Sequence, residues 1–194
     1  MNDLIHVYDV QVDEIAQAAS RVGGDFFVFN DDQSKWSRLT SADRCCEIAA
    51  ELSRDLGCYA LYARKPGDYA WSYDLFTNGK LVFAFACDWG RRGGSPCSTQ
   101  LDMPALENML KAVELDGGGS KYRKLCLAEL TELLTQPQRS GRVVDEPVDE
   151  VFAQVFRLSS EENISHDALR RIYERHDGAF ERLFPRVRHI HTSL

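Results

Sequence analysis

The chain has 194 residues, 44 % hydrophobic and 27 % charged, which fits one domain of ordinary size, or one domain with a helical annex, around a sizeable core. Its net charge of −7 argues against nucleic acid as the main ligand, since neutralising phosphate needs clustered Lys and Arg, and is compatible with a basic protein partner. No run of about 18 apolar residues offers a membrane span, and the opening MNDLIHVYDV, with two acids and no basic stretch, does not read as a signal peptide, so a cytoplasmic protein is expected.

The first predicted element is a helix from Val12 to Arg21, ended by Gly23-Gly24, followed by a short buried strand over Asp25 to Asn30. Asp31 to Leu39 reads as a polar loop that holds Trp36. A helix from Thr40 or Ser41 to Leu56 follows. Cys45, Ile48, Ala49, Leu52 and Leu56 form its apolar stripe, Thr40 or Ser41 can cap it, and Gly57 suits its stop.

Cys58 to Ala63 is a continuous apolar run, the pattern of a central strand covered on both faces. Tyr69 to Phe76 alternates, with Tyr69, Trp71, Tyr73 and Leu75 on one face, and Leu81 to Ala86 completes a hairpin. Pro66-Gly67-Asp68 and Asn78-Gly79 mark the turns; Asn-Gly tolerates positive φ at both positions. The order β-α-β-β-β predicts an α+β fold built on an antiparallel meander.

Cys87 to Gln100 reads as a glycine-rich loop. Asp102 then caps a helix to about Leu115, with Leu106, Met109, Leu110 and Val113 inward, before DGGGS breaks it. A further helix spans roughly Lys121 to Leu134. Three segments follow from this: a core domain over 1–135, a flexible link over 136–147, and a helical C-terminal segment over 148–194 packed on the core. In that segment Val148, Val151, Phe152, Val155 and Phe156 form a helical stripe. Ile164, Ser165 and Leu169 stand as a hydrophobic staple, and Arg186 to Thr192 suits a terminal strand.

None of the six cysteines forms Cys-x-x-Cys, and their scattered spacing favours reduced thiols. Cys97 is the least buried candidate nucleophile, but no flanking signature activates it. His189-x-His191 would share one face of a strand, yet lacks a third and fourth ligand nearby in the chain, so an exposed tail is expected rather than a metal site. Arg91-Arg92-Gly93-Gly94-Ser95 lacks the spacing of phosphate-binding loops. Asp145, Glu146, Asp149 and Glu150 complement a helix start or form an acidic patch. No cofactor or metal is expected.

Trp36 and Trp89 lie in predicted loops beside acids: Asp31 and Asp32 for one, Asp88 for the other. Aromatic residues in loops are favoured interface anchors, although both rings could equally fold back onto the sheet. Asp31, Asp32, Trp36, Asp88 and Trp89 are therefore the candidate partner-binding residues.

From about Asp25 to Val113 the chain resembles a family of small uncharacterised bacterial proteins. The likeness rests on Phe26-Phe27-Val28-Phe29, Glu51-Leu52-Ser53, the run from Trp71 to Leu81 and the helix after the Gly/Pro loop. Proteins of this plan are similar to cytosolic immunity proteins and antitoxins of bacterial competition systems. The resemblance implies a protein without an active site that occludes a basic toxin domain. A chaperone-like adaptor with the same fold, or a Cys/His-dependent enzyme using Cys97, are the alternatives.

Overall fold

The computed structural model describes residues 2–29, 35–67, 70–88, 97–112, 128, 130–132, 156, 158, 165–176 and 178–192. The expected link over 136–147 and most of the expected helices around it lie outside these residues. The described strands form one antiparallel sheet of eight, in the order β7-β6-β5-β4-β1-β3-β2-β8. Strands β1 (Asn2–Tyr8), β2 (Gly24–Phe29), β3 (Trp36–Ser41) and β4 (Tyr59–Gly67) are interleaved with helices α1 (Val12–Val22) and α2 (Cys45–Asp55). Then come β5 (Ala70–Thr77), β6 (Lys80–Asp88), β7 (Cys97–Leu101) and the helix α3 (Met103–Ala112). The chain closes with helices α4 (His166–Arg175) and α5 (Phe180–Leu183) and the strand β8 (Val187–Thr192). The α+β meander expected from the sequence is the architecture observed.

Side-chain alternation splits the core. On one face Ile5, Val7, Phe26, Val28, Leu39, Ala60, Tyr62 and Phe76 pack beneath α1 and α2, against Ile15, Ala18, Ile48 and Leu52. On the other face Trp36, Leu61, Tyr73, Leu75, Phe83 and Phe85 meet Leu106 and Met109 of α3, with Leu130 and Phe156. At the β8 end of that second face, Phe27 and Val187 are covered by Leu169 of α4 and Phe180 of α5.

Several local predictions are matched in detail. Asn78 (φ 49°) and Gly79 (φ 73°) close the β5–β6 hairpin, where positive φ at both positions matches the twist of the strands. The Asp102 carboxylate accepts from the Ala105 N–H at 3.1 Å, and Ser165 caps α4 by accepting from the Ala168 N–H. Leu106, Met109 and Leu110 are buried, while Val113 and Ile164 lie outside the described residues.

Others are corrected. Residues 36–41, expected as the end of a polar loop and the start of a helix, form β3, buried along its length. Ser37, Arg38, Thr40 and Ser41 disguise it, because buried polar residues hide the apolar pattern of a central strand. Thr40 and Ser41 belong to that strand and do not cap α2; its N-cap is Arg44, in a left-handed conformation (φ 53°). The N-terminal residues form β1, a central strand of the sheet. The expected loop over 87–100 loses both ends to strands: β6 continues to Asp88, and β7 pairs with it, placing Cys97 opposite Cys87 in the register.

Candidate functional site

Of the five residues expected to bind a partner, Trp36 is 2 % exposed. Its indole N–H donates to the Phe156 carbonyl at 2.7 Å, and Tyr8 packs edge-on against it at 5.0 Å. It is a core residue, because β3 runs through the middle of the sheet, and so it is no surface anchor. Asp88 is exposed at the end of β6. Asp31, Asp32 and Trp89 lie outside the described residues. Only Asp88 of the five is therefore placed at the surface.

The cysteines divide. Cys87 is disulfide-bonded, which corrects the expectation that all six stay reduced. Cys45, Cys46 and Cys58 are free. Burial raises each of these three thiols from 9.0 to about 11; the nearby Asp74 carboxylate adds to the effect at Cys46. This is the reverse of the shift that activates a nucleophilic cysteine. The Cys46 thiol faces Asp74 Oδ2 at 3.6 Å, and Asp74 is itself raised above its ordinary range, chiefly by burial.

Sequence reasoning missed the polar cluster around Asp25. The register brings Asp25 of β2 opposite His191 of β8, with His189 two residues away on the same face. Helix α4 then lays His166 and Arg170 over the same point. Asp25 Oδ1 lies 2.6 Å from His189 Nε2 and 3.6 Å from His191 Nδ1. Its Oδ2 lies 3.3 Å from His166 Nε2 and 3.7 Å from the Arg170 guanidinium. His166 Nε2 is also 3.1 Å from the Asp25 carbonyl; a carbonyl only accepts, so this geometry assigns the proton to Nε2. Phe27 stacks on His189 at 4.6 Å, and Tyr173 covers it at 4.0 Å.

His189 is 13 % exposed and part of the sheet, not of an exposed tail. Among the described residues no set of three or more His, Cys, Asp and Glu is arranged to hold a metal ion. The imidazoles of His166 and His189 direct Nε2 at oxygens of Asp25 itself, so the cluster acts as a clasp that ties α4 and β8 to β2. The signal available in the sequence was an acid opening an otherwise apolar strand, Asp25 before Phe26-Phe27-Val28-Phe29, together with the His-x-His pair.

Charge is unevenly spread over the two faces. On the α1–α2 side, Asp9, Asp13, Glu14, Asp43 and Glu47 are all exposed. Among the described residues none of these five has a cation within salt-bridge distance. Residues 166–192 hold six arginines against four acids in a chain of net charge −7; Arg171, Arg175 and Arg182 are exposed on α4 and α5, while Arg188, in register with Val28, points to the α1–α2 side. No described helix is long and apolar enough to cross a membrane. No family model, no curated protein and no solved structure matches the chain.

Proposed function

We propose that the protein is a non-enzymatic binding protein of the immunity type, which neutralises a bacterial toxin domain by occluding its basic active-site cleft. The observation that carries this reading is the group of exposed carboxylates on and beside α1 and α2: Asp13 and Glu14 on α1, Glu47 on α2 and Asp43 just before it. They sit on or directly before helices packed over the sheet core, so little ordering is needed before a basic surface docks. Trp36 drops out of the docking surface, and Asp13, Asp43 and Glu47 take its place, with Asp88, at the end of β6, as the remaining acid of the original set. The partner is a protein; a nucleic acid, a membrane, a cofactor and a metal have no part in the reading.

Co-expression with the product of the adjacent gene tests the function. The neighbour should arrest growth alone, and this chain should restore growth and co-purify with it. A harmless neighbour that does not co-purify overturns the proposal. The surface is tested by the triple variant Asp13→Lys, Asp43→Lys, Glu47→Lys, with folding checked by circular dichroism. Association with the partner at low salt should slow by roughly ten-fold or more, with the difference shrinking as salt rises. An unchanged association rate would move the interface elsewhere. Iodoacetamide at neutral pH should label Cys45, Cys46 and Cys58 slowly in the folded protein, and a fast thiol among them would favour enzymatic chemistry.

A further inference from the structure

We propose that the corner built by α4, α5 and β8 is a docking surface for a second copy of this chain, and that it receives the acidic α1–α2 layer of that copy. Arg171 and Arg175 stand one helical turn apart on α4, a like-charged spacing that is mildly unfavourable in isolation. Arg182 of α5 adds to the same corner, whereas Arg188 of β8, in register with Val28, points to the opposite side of the sheet. Arg171, Arg175 and Arg182 are exposed, and among the described residues none of the three has a carboxylate within salt-bridge distance. Beside Arg182 lies Leu183, 55 % exposed, the one large hydrophobic side chain that the described residues present to solvent. An apolar residue rimmed by arginines is the composition of a protein interface.

The platform is firm. Tyr173 of α4 meets Phe180 of α5 at 5.3 Å, Phe180 meets Phe184 at 5.0 Å, and the Asp25 clasp fixes α4 to the sheet. Asp167, Glu174 and Glu181 are exposed among the arginines, which disfavours a continuous phosphate backbone. Guanidinium forks suit discrete carboxylates instead. A second copy supplies them, since Asp9, Asp13, Glu14, Asp43 and Glu47 are exposed and, among the described residues, have no cation within salt-bridge distance. Within one molecule the two sets cannot meet: Phe26 and Val28 face the acidic helices, Phe27 faces α4 and α5, and the sheet lies between. The contact is therefore head-to-tail between copies.

Sedimentation velocity of the full chain tests this without any toxin, so its outcome is separate from that of the toxin-binding proposal. At low ionic strength the sedimentation coefficient should rise with protein concentration, and about 0.5 M salt should abolish the rise. The pair Arg171→Glu, Arg175→Glu should be monomeric, as should the triple variant Asp13→Lys, Asp43→Lys, Glu47→Lys. Mixing those two variants should restore association, because the reversed corner of one now matches the reversed layer of the other. Leu183→Ser should weaken association without restoring it in any mixture. A chain that stays monomeric at low salt, or a mixture that fails to associate when both variants are folded, overturns the proposal. Binding of heparin by the wild type, with no self-association, would assign the corner to polyanions instead.

Discussion

Asp25 shows how much one side chain can organise. Its carboxylate is 13 % exposed and receives His189, His166 and Arg170. Asp25→Asn keeps the shape but removes the charge that these groups face. It should destabilise the fold by about 2–4 kcal/mol in urea unfolding, the range for breaking a buried charged network. His191→Ala, at a position 62 % exposed, should stay within about 0.5 kcal/mol of the wild type. Equal effects would show that the clasp carries no special weight. Ser53 is a second such point. It is fully buried, donates to the Ala50 carbonyl and accepts the Gly79 N–H at 2.9 Å. That bond ties α2 to the β5–β6 turn, and Ser53→Ala should cost about 1 kcal/mol. Neither role was legible beforehand. The partners of Asp25 lie 141 and 164 residues away, and no local periodicity encodes such a meeting.

At the scale of elements, legibility followed the cleanness of the pattern. The α2 stripe, the meander and the Asn78-Gly79 turn were readable because one face of each is apolar, or because the turn needs positive φ. Gly79→Ala should therefore destabilise by about 1 kcal/mol, since its φ is 73° and a Cβ there would meet Arg54 Cβ at 3.2 Å. A melting temperature unchanged by this substitution would refute the turn assignment. Strand β3 was not readable, because it carries Ser37, Arg38, Thr40 and Ser41 into the interior. Arg38 stacks over the Phe29 ring at 5.4 Å, which helps explain how a central strand tolerates a guanidinium. Trp36→Phe should cost about 1–2 kcal/mol, because the Phe156 carbonyl loses the indole donor. A smaller loss would imply that another donor reaches that carbonyl.

For the molecule as a whole, the buried thiols set an alkaline limit. Cys45, Cys46 and Cys58 hold their protons to about pH 11 in the folded state, against 9.0 when exposed. The folded state therefore binds more protons than the unfolded state between those values. Stability should be undiminished below pH 9 and fall as pH rises from 9 towards 11. Tyr62, also raised by burial, pushes the same way. Urea midpoints measured across this range should drop, and less steeply in a Cys45→Ala, Cys58→Ala variant. A flat profile in the wild type would contradict the burial of these thiols. The uneven spread of charge is also a whole-molecule property, since it depends on which helices cover which face of the sheet.

Residue order alone specified the α+β class, the meander, most helix faces and the acidic balance. These depend on periodicity, turn chemistry and counting, all of which are local. The folded arrangement settled the rest: Trp36 inside rather than outside, β1 and β3 as central strands, and β8 joined to β2 across the length of the chain. It likewise gathered three histidines and an arginine around one carboxylate, and set an acidic layer against a basic corner. Those outcomes arise from long-range pairing, in which the burial of each strand is fixed by its neighbours in the sheet and not by its neighbours in the chain.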